Sequence, residues 1–286
     1  MRMIWLLLPA FNEEASLPNL LPRIHQTFAQ RGRSYRLVVV DDGSTDDTPR
    51  LLEEYTLLLP LDVVTHPINR GLGETERDGF EYIASRADPG DLIVRMDCDD
   101  THDPAYIFTL EETIMQGYDV VSTSRFAPGG GQMGLGAYRT VVSRSANIFM
   151  QVLFGIKGIR DYSCGYRAYR ANIIQDAVRL FGNNFIQLKG LGFTSTLEML
   201  VKLNLMGCRF TEVPFVLRYD LKLSTSKMLT SLTTLGYVIM ALLYFWPFDG
   251  WKSLYREVGE LYRHSPEEAI RKYRAARLKT ISRISL

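Results

Sequence analysis

The chain has 286 residues, 46% of them hydrophobic, enough for one large core and an appendage. Its 33 Lys and Arg against 32 Asp and Glu leave a net charge of +1, so composition gives no basic footprint and no nucleic-acid partner is expected. The cysteines at 98, 164 and 208 are odd in number and far apart, which excludes a disulfide framework or cysteine metal site and fits a reducing compartment.

Met3 to Leu8 is too short for the apolar stretch of a secretory signal, so the catalytic portion is expected in the cytosol. Strand and helix signals then alternate. Ile4 to Leu8 is an apolar run, followed by a helical pattern over about Ser16 to Gln30. Leu37 to Val40 is a second run, closed by Asp41-Asp42-Gly43-Ser44, with a helix from about Thr48 to Leu58. Leu61 to Thr65 is a third strand, Gly73 to Arg86 a third helix, and Leu92 to Met96 a fourth strand. This alternation predicts an α/β fold with a mostly parallel sheet covered on both faces. Ligands in such sheets bind beyond the carboxyl ends of the strands. Polar clusters fall there, after Leu8, Val40 and Met96.

The second half is less regular. Asp119 to Ser122 reads as a strand, Gly129-Gly130-Gly131 as a flexible loop and Tyr138 to Leu153 as a helix. A helix over Thr194 to Met206 precedes a strand over Phe210 to Leu217. Met228 to Phe248 is 21 residues without a charge, formally long enough to span a membrane. Its first half is amphipathic, however, with Leu229, Leu232 and Leu235 among Thr230, Ser231, Thr233 and Thr234. A single crossing would also carry the basic tail away from the cytosol. The expectation is a helix in the membrane interface with Tyr244, Trp246 and Trp251 at headgroup depth; a true span and a buried core helix are the alternatives. From Trp251 onward nine Lys/Arg face four Glu, which suits either an anionic surface or a solvated helix face. The expected division is a catalytic domain over 1–227, an apolar helix over 228–250 and a basic helical tail over 251–286.

Chemistry concentrates at Asp97-Cys98-Asp99-Asp100-Thr101-His102-Asp103. In an extended chain i and i+2 point the same way, so Asp97 and Asp99 present their oxygens together. Paired carboxylates suit a hard divalent cation such as Mg2+ or Mn2+, whose shell is completed by substrate phosphates. Asp100 and Asp103 read as turn or capping residues, and His102 as structural. After the first strand, Phe11 could stack on a base and Glu13 accept hydrogen bonds from base or ribose; capping of the next helix is the alternative. Together these clusters suggest an enzyme that uses a nucleotide diphosphate.

The same segments resemble family-2 glycosyltransferases, in particular the dolichyl-phosphate mannose synthases and their bacterial polyprenyl-phosphate relatives. The resemblance spans roughly residues 3–228. It comprises Leu-Pro-Ala-Phe-Asn-Glu at 8–13, Val-Val-Asp-Asp-Gly-Ser at 39–44, Asn-Arg-Gly-Leu-Gly at 69–73, Asp-Cys-Asp at 97–99 and Ser-Arg-Phe at 124–126. Tyr138-Arg139, Asp161 through Arg170, Glu-Val-Pro at 212–214 and Ser226-Lys227-Met228 continue it. It implies a glycosyltransferase-A fold and sugar transfer from a nucleotide diphosphate sugar, GDP-mannose or UDP-glucose, to a polyprenyl or dolichyl phosphate. By that similarity Pro9, Phe11, Glu13, Val40, Asp42, Asp97 and Cys98 match nucleotide-contacting positions. Asp99 matches the metal ligand, with Asp97 close to it and Thr101 where relatives often carry a Gln. Arg125, Arg139 and Ser143 match acceptor-phosphate positions. Asp161 and Cys164 to Arg167 match a structured acceptor-side loop, and Arg218, Lys222, Ser226 and Lys227 a loop that closes over the diphosphate.

A phosphate monoester is largely ionised near neutral pH, with a second pKa of about 6, and needs no protein base to attack an anomeric carbon. The implied chemistry is a metal-dependent, one-step displacement with inversion at the cytoplasmic face of a membrane, held there through the C-terminal region. The alternative is transfer to a saccharide hydroxyl in cell-envelope polysaccharide assembly. That reaction requires a catalytic carboxylate near the acceptor, and Glu198 or Asp161 would supply it.

Overall fold

The computed structural model describes residues 2–222, 230–246 and 250–274. Three β/α units open the chain: β1 (Ile4–Ala10), α1 (Leu17–Arg31), β2 (Tyr35–Asp41), α2 (Thr48–Thr56), β3 (Leu61–Thr65) and α3 (Leu72–Ala84). β4 (Leu92–Arg95), α4 (Tyr106–Met115), β5 (Val120–Ser124), the short β6 (Gly131–Met133) and α5 (Ala137–Phe154) follow. β7 (Arg167–Arg170), α6 (Ala171–Phe181), α7 (Thr194–Leu205), β8 (Phe210–Pro214) and β9 (Val216–Arg218) lead to α8 (Thr230–Phe245) and α9 (Trp251–His264). The chain is helical again over 266–274.

The main sheet has seven strands in the order β3-β2-β1-β4-β7-β5-β8. β1 pairs in parallel with β2 and β4, Ile4 lying opposite Tyr35 and Leu92. Alternate residues of these strands go to opposite faces, as the pleat requires. Trp5, Leu7, Val38, Val40 and Ile93 join α3, α6 and α7–α9 in one core, while Ile4, Leu6, Leu8, Val39 and Val94 join α1, α2 and α4 in the other. Burial on both sides accounts for continuous apolar runs instead of alternating ones.

Two expectations are corrected here. β7, which the sequence did not mark as a strand, runs antiparallel between β4 and β5, so the sheet is mixed there while its other pairings are parallel as expected. Its sequence, Arg-Ala-Tyr-Arg, hides a buried strand because the fully buried Arg167 donates to Ser122 Oγ, Tyr162 O and Thr196 O. The single strand expected over 210–217 is two strands broken at Phe215, β8 in the main sheet and β9 paired with β6.

For the apolar helix, the spanning alternative and the placement of two of its expected aromatics are corrected. α8 has 16 residues, about 24 Å at 1.5 Å each, against a hydrocarbon core of about 30 Å. No helix among the described residues is long and apolar enough to cross a membrane. Tyr244 and Trp251, expected at headgroup depth, are buried in the core with Met240, and only Trp246 is exposed. α8 and α9 pack on α7 and on each other. One face of α8 therefore completes the core.

Candidate active site

The carboxyl ends of β1, β2 and β4 open into a cleft of about 450 Å³. Pro9 lines it at the end of β1, Phe11 and Glu13 beyond β1, Asp42 beyond β2, and Asp97, Cys98 and Asp99 beyond β4. The structure thus gathers six of the seven nucleotide-contact positions, with the metal-ligand position Asp99, around one space. The seventh, Val40, is fully buried in the core and is absent from the lining. Its side chain packs between β2 and α3.

Asp42 is more constrained than its motif reveals. Its carboxylate accepts from the backbone N–H of Arg70 (2.9 Å) and Gly71 (2.8 Å) and pairs with His66 Nδ1 at 2.7 Å. It therefore pins the turn before α3, which forms one wall. Gly73 sets the distance to the facing wall: a Cβ there would lie 2.5 Å from Lys189 Cα. That close approach lets the segment around Lys189 to Phe193 border the cleft, and Lys189 Nζ reaches Glu74 at 3.0 Å.

The acidic cluster divides into two units. Asp97 Oδ1 accepts from Arg95 Nη1 at 2.5 Å, and Arg95 Nε lies 2.8 Å from Glu76 Oε1 in the core. The backbone N–H of Asp97 donates to Nδ1 of the buried His102, whose ring stacks on Tyr166. Burial alone would raise the Asp97 pKa, but Arg95, then His102 and Lys222, outweigh it and hold the group at about 2. Burial pushes His102 below the usual imidazole range, which agrees with its structural reading. Gly165 makes room for this arrangement, since a Cβ there would meet Arg95 Nη1 at 2.1 Å.

Asp99 is the second unit. Its Oδ1 accepts from the Thr101 hydroxyl at 2.6 Å, and its Oδ2 accepts from the Lys222 ammonium. Thr101 is buried and outside the cleft lining, so here its hydroxyl supports Asp99 and does not face the cleft. Burial opposes the charge on Lys222, but Asp99 and Asp97 raise its pKa above the ordinary lysine value. Asp100 pairs with Arg23, and Asp103 Oδ1 accepts from Ala105 N–H at 3.0 Å, as turn and capping residues do.

The expected acceptor residues form a shelf outside the cleft lining. Arg125 Nε and Nη2 make 2.7 and 2.8 Å bonds to the two oxygens of the fully buried Asp161, and Nη2 also donates to Ser163 Oγ. Burial would raise Asp161, but Arg125 outweighs it and depresses its pKa. Two of the guanidinium nitrogens expected to hold phosphate are thus engaged internally. Asn147 Nδ2 bonds Ser163 Oγ and the backbone oxygen of the half-buried Ser143, tying α5 to that pair. Arg139 is exposed and donates to Tyr219 Oη at 3.2 Å. Arg218 is clamped on Asp220 and does not line the cleft, so of the two described cations in the closing segment Lys222 is the one that reaches it. Ser226 and Lys227 lie outside the described residues.

Comparison with known proteins agrees with this geometry. Residues 5–177 match the model for Glycosyl transferase family 2, more than half of the chain. The chain belongs to glycosyl transferase family 2. A polyprenol monophosphomannose synthase from Mycolicibacterium smegmatis is 33% identical over 171 residues, 59% of this chain and 62% of that protein. An undecaprenyl-phosphate 4-deoxy-4-formamido-L-arabinose transferase from Klebsiella pneumoniae is 36% identical over 169 residues, 58% of this chain and 48% of that protein. The chain thus matches about half to three-fifths of the length of these relatives. Glucosyl-3-phosphoglycerate synthase from Mycobacterium tuberculosis, crystallised with Mn2+, UDP and phosphoglyceric acid, superimposes with a TM-score of 0.56 at 21% identity, covering 85% of this chain and 78% of that one. That likeness shows the fold.

As a family 2 chain it also carries site residues that the motifs did not flag. Lys189, Gly190, Gly192 and Phe193 line the cleft, as does Leu232 of α8. Gly190-Leu191-Gly192 repeats the Gly71-Leu72-Gly73 pattern across the cleft, and a lysine before it was the available signal. Leu232 was hidden inside a segment that reads as membrane-directed.

Proposed function

We propose that this chain transfers a hexose, mannose or glucose, from a nucleotide diphosphate sugar to a polyprenyl phosphate at the cytoplasmic face of a membrane. One observation carries the choice of acceptor. A hydroxyl acceptor requires a carboxylate base, and both carboxylates that sequence offers for it are enclosed in the fold. Asp161 is clamped by Arg125, and the fully buried Glu198 accepts from Gln187 N–H, Leu188 N–H and the Lys202 ammonium. An acceptor that arrives already ionised needs neither. The names of the polyprenyl-phosphate relatives support the same reading.

The residues fit a divalent cation. Among the described residues no group of three or more His, Cys, Asp or Glu could hold a metal unaided. Asp97 and Asp99 supply two hard oxygen donors at the cleft, and the Lys222 ammonium already rests on Asp99, so the position favours positive charge. Two carboxylates plus diphosphate oxygens are the usual environment of Mg2+. A bound Mg2+ or Mn2+ would neutralise charge on the leaving diphosphate. Lys222 and Lys189 border the same space and add electrostatic stabilisation as that charge develops. In the displacement an acceptor phosphate oxygen forms the bond to the anomeric carbon as the bond to the diphosphate breaks. The electron pair leaves with the diphosphate and the configuration inverts.

The test is a panel of nucleotide diphosphate sugars, incubated with Mn2+ and a short polyprenyl phosphate, with mass spectrometry of the lipid. One donor should yield a lipid-linked glycosyl phosphate, and Asp99→Ala should lower that rate at least tenfold, a barrier of about 1.4 kcal/mol. Absence of lipid product with every donor would reject the reading.

A further inference from the structure

On α3, Gly73, Glu76, Phe80 and Ile83 face the core at helical spacing. Glu76 is 1% exposed in that stripe, and Arg95 is 3% exposed at the end of the apolar strand β4. Each stands where packing alone would call for an apolar side chain. Their pairing is incomplete. Glu76 Oε1 lies 2.8 Å from Arg95 Nε, while Glu76 Oε2 has no hydrogen-bond partner among the described residues. The far end of the guanidinium reaches past the pair, and its Nη1 donates to Asp97 Oδ1. The fold keeps room for that reach, because a side chain at Gly165 would collide with Nη1.

Stability does not explain these charges. Apolar side chains of similar volume often stabilise a fold as well as a buried ion pair does, or better. They could not, however, hold a carboxylate. The Asp97 side chain is 31% exposed at the cleft, and its Oδ2 lies 3.4 Å from His102 Nε2, too far for a strong bond. Arg95 is therefore the firm anchor of its carboxylate. The same turn of α3 meets the site at three successive residues: Glu74 pairs with Lys189 of the facing wall, Thr75 lines the cleft and Glu76 backs Arg95. We infer that Glu76 and Arg95 are positioning residues, through which α3 sets the Asp97 carboxylate toward a metal-bound nucleotide diphosphate. Neither side chain lines the cleft, so both act through Asp97. The inference rests on the metal reading of Asp97 and Asp99 proposed above.

The test reads stability and donor binding together. Glu76→Leu combined with Arg95→Met removes both charges and keeps the site filled with apolar side chains. Glu76→Gln removes one charge and leaves Arg95 compensated by Asp97. GDP and UDP are each titrated into wild type and variants by calorimetry, with and without Mn2+. Mn2+ should tighten wild-type binding of one of them about tenfold or more. The double variant should melt no lower than wild type, yet lose most of that gain, as loss of groups that orient metal ligands costs about 10–100-fold. Its affinity without Mn2+ should not change. A double variant that melts like wild type and keeps the gain would overturn the inference, since the pair would then serve packing alone. If the double variant melts lower, Glu76→Gln decides: a reduced gain supports the inference, and a full gain overturns it. No acceptor is present, so the result is independent of the acceptor assigned above. Wild-type binding indifferent to Mn2+ would overturn the metal reading and this inference with it; a gain that the variants keep overturns this inference alone.

Discussion

Asp97 and Asp99 stand two residues apart with the same chemistry, yet the fold gives them different tasks. Arg95, buried and backed by Glu76, binds Asp97 from the core side, whereas among the described residues Asp99 meets Thr101 and the ammonium of Lys222. Asp97 is thus an anion fixed from the core side, whereas the partner of Asp99 is a lysine of the segment beyond β9. The depressed Asp97 pKa has a consequence for stability. An unfolded Asp titrates near 3.9, so the stabilisation from its lowered folded value of about 2 is fully present above pH ~4 and lost as pH falls toward 2. Asp97→Asn should therefore be less stable than wild type at pH 7 because it leaves the buried Arg95 with Glu76 in place of two carboxylates. The difference should shrink between pH 4 and pH 2.5, as read from denaturant midpoints. A gap that widens on acidification would mean that the Asp97 pKa is not depressed. Sequence alone made the pair visible but not its asymmetry, because Arg95 reads there as an interruption in an apolar strand.

At the scale of elements, the cleft depends on how closely α3 approaches the segment around Lys189 to Phe193. Glu198 of α7 fixes the start of that segment through two backbone N–H groups, and Gly73 gives it room against α3. Gly73→Ala would place a methyl group 2.5 Å from Lys189 Cα, and relief requires this wall to move. Overpacking of this kind costs roughly 1–3 kcal/mol. The expected result is a modest loss of thermal stability with donor affinity reduced about tenfold or more, measured by calorimetric titration with nucleoside diphosphate. Unchanged donor affinity would show that this wall does not contact the donor. The motif at 69–73 was legible in the sequence, but the reason for its second glycine was not, since that reason lies more than a hundred residues away. Glu198 shows the converse: as a carboxylate in the right half of the chain it reads as a possible base, and only its enclosure beside Lys202 identifies it as a clasp.

Across the whole molecule, the first four strands were readable because a sheet buried on both faces demands unbroken apolar runs ending in loops that carry the chemistry. The later sheet was less so. β7 is stabilised by a buried arginine whose acceptors come from distant segments, and no local pattern encodes that. α8 was hard to read for a related reason: a helix apolar on two sides, one toward α7 and one toward solvent, has the composition of a membrane span and the length of a surface helix.

The central claim is that the acceptor brings its own negative charge and that no protein base is required. Rates with a short polyprenyl phosphate and with the polyprenol of the same chain length, at saturating donor and Mn2+, test this most directly. The account predicts turnover of the phosphate alone, with a rate that rises as pH passes through the second phosphate ionisation near 6 and then levels. Comparable turnover of the polyprenol, or of a saccharide in its place, would contradict it.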